Sequence, residues 1–249
     1  MTMTLLKKTA PMAAAGLLAL TLTACGGGGG GASNVVVAPA PVVASFPVQQ
    51  GLAYAFTHGL QSTLTVSGST TNGSTTYPLT GTLTYTLGAV VNATFNGAAV
   101  QQATETLSGT ISGNGTTSPL TTSSQLYVNA QYTPVGSNET GAYCVASSTA
   151  AYPATATAGQ TGDIAAFSCY TDSTKRTLTS TQKITYATTA GSDGNSLNFQ
   201  MLSNVFDAAN KSLGSTGTTY TISAAGIPKL TRIQLTETVG GISFTIDAK

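Results

Sequence analysis

Tryptophan is missing from this chain, histidine occurs once and cysteine three times. Charge is scarce as well. Asp, Glu, Lys and Arg make up 7% of the 249 residues, against about 25% in ordinary soluble domains. Each shortage excludes something. Without tryptophan the strongest stacking platform for sugars is gone, and the ten tyrosines are weaker substitutes. A lone histidine, His58, excludes multi-histidine zinc sites. Setting Lys7 and Lys8 aside with the N-terminal segment leaves seven basic against eight acidic residues. No basic stripe remains, so nucleic acid is not an expected partner. Between Lys8 and Glu105 there is no charged residue of either sign. No stretch reaches about 18 uninterrupted apolar residues, so no transmembrane helix is expected.

Hydrophobic residues nevertheless reach 41%, which separates the chain from polar, highly charged disordered sequences. Thr, Ser, Gly and Asn take the place of the missing ions. A core is expected, clad in hydroxyls. The charge-free stretch reads as compositional drift in an exported β-protein, or as an uncharged surface for contact with sugar, peptidoglycan or protein.

The first 24 residues combine MTMTLLKK, a positive start, with TAPMAAAGLLALTLTA, a short apolar run ending in small residues. This is the layout of an export signal. Leu22-Thr23-Ala24-Cys25 then resembles the lipobox of bacterial lipoproteins. The resemblance implies cleavage before Cys25, a diacylglyceryl thioether on its sulfur and acylation of its new amino group. Membrane lipid is then the partner, and two or more acyl chains hold a protein stably where one does not. Gly26, in place of an aspartate, implies sorting to the outer membrane by the rule of enteric lipoproteins. Six glycines and a segment with Pro39, Pro41 and Pro47 follow. They read as an extended tether with a reach of roughly 70 Å from Cys25 to Pro47. The expected organisation is a signal peptide over 1–24, the lipidated cysteine and tether over 25–50, and one β-rich domain over 51–249.

Beyond Gly51 the apolar residues recur with period two. LQSTLTVSG sets Leu60, Ser62, Leu64 and Val66 on one side. SLNFQMLSNVF does the same with Leu197, Phe199, Met201 and Val205. In KLTRIQLTETVGGISFTIDA, Gly240-Gly241 signals a two-residue hairpin. That turn brings Ile233, Leu235 and Val239 onto the face of Ile242, Phe244 and Ile246. Glu237 falls on the same face and breaks its apolar character. TNGS, FNGA, GNGT, TDSTK, GSDGN and AAGIP punctuate the runs as turns. No window shows the three-four spacing of a capped helix. The fold class is therefore all-β, an antiparallel meander of about a dozen strands, barrel-like or sandwich. The alternation alone does not choose between them. Outward faces of Thr and Ser argue against an outer-membrane barrel.

Candidate chemistry is sparse. His58 lacks a nucleophile elbow or a nearby acid and reads as a polar turn residue before Gly59. Asp193 reads as a turn residue, since GSDGN falls far short of a calcium loop. Glu139, Asp163, Asp172 and Asp207 are candidates to converge as paired carboxylates for glycoside cleavage. The Asn-x-Ser/Thr triplets at Asn72, Asn92, Asn114, Asn138 and Asn210 read as products of composition. AYPATATAGQTGD, between Cys144 and Cys169, is the longest loop of the later half and a candidate functional edge.

With Cys25 lipidated, Cys144 and Cys169 are the two cysteines left, and an exported protein matures where thiols pair. GAYCVAS and AAFSCYT read as strands brought side by side, so a disulfide is expected there; two buried free thiols are the rival reading. No cofactor and no metal is expected.

Three functions compete. The first is an envelope-anchored, non-catalytic structural or adhesive β-domain. The second is a binding module carrying a small apolar ligand inside a barrel, recognisable by an internal cavity of roughly several hundred cubic ångströms. The third, an enzyme, requires a cleft where His58 or the acids meet.

Overall fold

A computed structural model describes residues 44–249. The expected signal peptide, Cys25 and most of the tether lie outside the described residues. The described residues form one helix and thirteen strands.

The helix, α1, spans Val48–His58 across the expected tether boundary, where no helix was foreseen. Its signal is compact. Val48, Gly51, Leu52, Ala55 and Phe56 are buried at three-four spacing, which makes one apolar stripe over three turns. Pro47 stands at its N-cap and Gly59 at its C-cap, with φ 76°. Proline before and glycine after are helix boundary residues for steric reasons. Just before α1, Phe46 forms a bridge with Ala156.

The strands, in chain order, are β1 (Leu60–Asn72), β2 (Thr75–Leu87), β3 (Val91–Phe95), β4 (Ala98–Gly113), β5 (Thr116–Val128), β6 (Pro134–Glu139) and β7 (Ala142–Thr149). They continue as β8 (Thr161–Tyr170), β9 (Leu178–Ala190), β10 (Ser196–Asp207), β11 (Ser212–Ser223), β12 (Pro228–Val239) and β13 (Ile242–Ala248). Each pairs antiparallel with its neighbour in sequence, apart from the β2–β3 step. Two non-sequential seams close the ring. β1 pairs with β13 from Val66↔Ala248 to Asn72↔Ile242, and β2 pairs with β4 from Leu79↔Gly113 to Leu87↔Glu105. Twelve strands thus form a closed antiparallel barrel, and β3 stands outside it on the free end of β4.

The expected faces hold. Leu64, Val66, Leu197, Phe199, Ile233 and Ile246 all enter the core. Gly240 and Gly241 make the β12–β13 turn, with Val239 opposite Ile242. Outward positions carry hydroxyls and amides, the reverse of the apolar band of a lipid-facing barrel. Closure demands tight coiling at the β2–β4 seam. There a Cβ on Gly81 would collide with the Thr110 carbonyl oxygen, and one on Gly109 with that of Thr82. Glycine at such a corner lets two backbones approach.

β3 covers a second, small cluster on the outer side. Phe95 stacks on Tyr127 at 4.1 Å and contacts Tyr143 at 5.0 Å. All three rings are buried.

Candidate functional site

The turns fall into two sets. The β5–β6, β7–β8, β9–β10 and β11–β12 connections gather at the end of the barrel where α1 meets β1. α1 stops that end, with Leu52, Ala55 and Phe56 facing inward. Below it lies a cavity of about 350 Å³. Its wall includes Leu87, Leu126, Phe167, Ile184 and Met201 as apolar members. Tyr85, Tyr152 and Tyr220 add rings with polar tips.

Alternation explains why these side chains converge: every second residue of each strand points inward. The polar members follow the same rule. Leu87 pairs with Glu105, and Glu105 with Ser124. Asn138 pairs with Gln125, which sets Glu139 beside Ser124. Glu105, Ser124 and Glu139 therefore form one rung on the inner wall, and all three line the cavity. Ser124 Oγ donates to Glu105 Oε2 at 3.3 Å. The hydroxyls of Tyr85 and Tyr220 lie 3.4 Å apart. Farther round, Gln182 Nε2 donates to Ser203 Oγ at 2.5 Å, and Tyr152 donates to Met201 Sδ at 3.8 Å.

Burial raises the Tyr85 hydroxyl pKa well above its ordinary value, and the Glu105 carboxylate raises it further. Burial also raises Tyr152 and Tyr220. All three therefore stay neutral donors at physiological pH. Desolvation raises Glu139 too, and repulsion from Glu105 adds to it. Glu139 both lines the cavity and is exposed, so the cavity reaches solvent beside the β6–β7 hairpin. β6 has six residues where β5 has thirteen, which leaves the wall low at that point.

Of the four acids named as a catalytic set, only Glu139 reaches this cavity. Asp163 is exposed and pairs with Lys183 at 2.8 Å. Asp172 and Asp207 sit in turns and accept backbone N–H groups from Thr174, and from Ala209 and Lys211. The strand ends scatter them, and no carboxylate pair for glycoside cleavage assembles from the set. Glu105, which joins Glu139, is not among those four; its run AAVQQATETLSGTISG is polar on both sides and does not state which face turns inward. Asp193 makes an Asx turn, accepting from Asn195 N at 3.0 Å and Ser196 Oγ at 2.6 Å. His58 ends α1, stacked on Tyr54 at 4.1 Å, with Nδ1 2.8 Å from Thr57 Oγ1. The imidazole is exposed and absent from the cavity lining.

Cys144 and Cys169 form a disulfide between β7 and β8. They are direct cross-strand partners, and both line the cavity. Their Cα atoms are 3.9 Å apart, below the usual range of about 4.4–6.8 Å. The short separation goes with their position directly opposite each other in the β7–β8 register. The long β7–β8 loop is not a free edge. It packs against the barrel through Tyr152, which is 4% exposed, and through Ala156.

Among the described residues, no three His, Cys, Asp or Glu side chains gather as metal ligands, and no helix is long and apolar enough to cross a membrane. The class the fold defines is a closed twelve-stranded antiparallel barrel with a stoppered end and an internal cavity. Compared with protein-family models, curated proteins and solved structures, the chain has no significant match.

Proposed function

We propose that this chain is a lipid-anchored, non-catalytic protein of the bacterial envelope, whose barrel binds a small, mainly apolar ligand. One observation carries the binding reading: the cavity of about 350 Å³ bounded by the barrel wall and α1 and open beside the β6–β7 hairpin. That volume is within the range of small-molecule sites, about 300–1,000 Å³. Largely apolar walls with a few polar groups are the usual composition of such sites. The anchor at Cys25 and an outer-membrane location rest on the resemblance of LTAC to a lipobox, with the tether supplying reach.

A structural or adhesive role is favoured by a different observation. The outer face of β1, β2, β4 and β5 is an uncharged array of hydroxyls. Rows such as Thr63–Thr84–Ser108–Thr121 and Ser67–Thr80–Ser112–Thr117 run across all four strands.

The neutral fluorophore N-phenyl-1-naphthylamine separates the two. The chain from Cys25 onward, with serine at that position, is expected to bind it saturably at one site. Thr218→Phe, which pushes a ring into the cavity from β11, is expected to abolish binding while the far-ultraviolet spectrum stays the same. Absence of saturable binding, or equal binding by the variant, overturns the cavity reading. Retention on purified peptidoglycan would then favour the adhesive one.

A further inference from the structure

The distribution of charge inside the barrel is one-sided. The chain has three glutamates, and all three belong to the inner side. Glu105 and Glu139 line the cavity, and Glu237 is 5% exposed, two positions along β12 from the cavity-lining Leu235. The five aspartates lie in turns or on outward positions. Among the described residues no lysine, arginine or histidine lines the cavity, and every basic one is exposed or half-buried.

A carboxylate partly withdrawn from water without a counter-ion carries a cost. Two carboxylates lie on one rung here, Glu105 half-buried and Glu139 at the exposed rim of the cavity. Glu105 on β4 and Glu139 on β6 are separated by one strand, so their Cα atoms are about 10 Å apart at the usual strand spacing. Desolvation, and then repulsion from Glu105, raise the pKa of Glu139. The hydroxyls of Ser124 and Tyr85 soften that cost and carry no charge to cancel it. Phe56, Phe167 and the three tyrosines line the same space, and aromatic ring faces attract cations. Two carboxylates, aromatic rings and apolar walls, with no resident cation, form a complementary surface for a positive charge on an apolar body.

We propose that the cavity takes an organic cation, an ammonium group seated between Glu105 and Glu139 with its hydrocarbon portion among Leu87, Leu126 and Met201. This rests on the reading of the barrel as a binding module and adds the charge of the ligand. The apolar wall suits an amphiphilic amine better than a bare metal ion, which would need more oxygen donors than this rung offers. Binding exchanges repulsion between the two acids for attraction to a shared cation, so the preference weakens as pH falls and Glu139, whose pKa is raised, protonates.

The test compares three probes of equal tail length, octylammonium, octanol and octanoate, by isothermal titration of the same soluble chain at pH 7.5. Octylammonium is expected to bind at least tenfold more tightly than octanol, and octanoate more weakly than either. In Glu105→Gln/Glu139→Gln the preference for ammonium over alcohol is expected to fall below threefold. Octanol binding as tightly as octylammonium to the parent chain would overturn the cation while leaving the binding module intact. Failure of all three probes to bind would overturn both. Because the parent chain alone gives the ranking, a variant that misfolds does not remove the test.

Discussion

Gly109→Ala tests the closure of the barrel directly. A Cβ at that position would collide with the Thr82 carbonyl oxygen across the β2–β4 seam. Carbon and oxygen settle at about 3.5 Å, so the strands must part by more than about 1 Å. That displacement takes the ladder bonds flanking Leu83↔Gly109 and Gly81↔Ile111 out of range. Two such bonds contribute about 0.5–1.5 kcal/mol each, and their partly buried groups add the cost of being left unsatisfied. The smaller conformational freedom of alanine in the unfolded chain offsets about 0.4–1 kcal/mol. A net loss of about 2–3 kcal/mol is expected. With a urea m-value of about 2–3 kcal/mol/M, the unfolding midpoint should fall by about 1 M. Gly88→Ala is the control, because its nearest neighbour, the Thr104 carbonyl oxygen, is 3.5 Å away; it should stay within about 0.5 kcal/mol of the parent. Gly81→Ala should cost as much as Gly109→Ala, since the collision is reciprocal. The double variant should cost less than the sum, because one parting of the strands relieves both clashes. Equal midpoints for Gly109→Ala and Gly88→Ala would refute the account of the seam.

The remaining predictions concern the disulfide, the ion pairs and the anchor. Replacing Cys144 and Cys169 together by alanine should cost about 3.5 kcal/mol, the loop entropy for a sequence separation of 25; two alkylatable thiols in the unreduced parent would refute the pairing. Asp247 accepts from Arg232 at 2.6 and 3.1 Å and pairs with Lys249 at 2.9 Å. Its pKa is lowered, first by the Arg232 hydrogen bonds. The stability it contributes is therefore present above the ordinary Asp pKa and lost as pH falls through the lowered one. Asp247→Asn should flatten that acid limb by about 0.5–1 kcal/mol, the scale of a solvent-screened pair, and an unchanged stability–pH curve would remove the claim. Glu139 has the opposite sign: its contribution is present below the ordinary Glu pKa and is lost as pH rises through the raised value. In the full-length chain expressed in a bacterium, Cys25→Ser should abolish acyl labelling and release the protein from washed membranes; retention with no lipid on the parent would overturn the anchor.

Much of the wall was legible because a strand states its faces locally. Leu60, Leu64 and Val66, or Leu197 and Phe199, alternate with polar neighbours, and the pleat admits one solution for which set turns inward. Gly240-Gly241 sets its own register, since a two-residue turn forces Val239 opposite Ile242. α1 was missed although Val48, Leu52, Ala55 and Phe56 carry its stripe. Its eleven residues are marginal as an isolated helix, and packing on the barrel end, not propensity, holds it. Glu237 looked like an error in an apolar face and proved to be an inward acid, in keeping with Glu105 and Glu139.

By itself the sequence determined that the chain is built of antiparallel strands, which residues share a face and where the turns fall, and it offered Cys144 and Cys169 as the pair to close. Only the tertiary structure decided that the strands close into a ring, that α1 stops one end, and that Glu105 and Glu139 share one rung of the cavity wall. Alternation and turn chemistry are local, and a sandwich and a barrel satisfy them equally. Closure depends on pairing Val66 with Ala248 and Leu87 with Glu105. No pattern within either strand encodes those partners; the packing of the whole inner surface selects them.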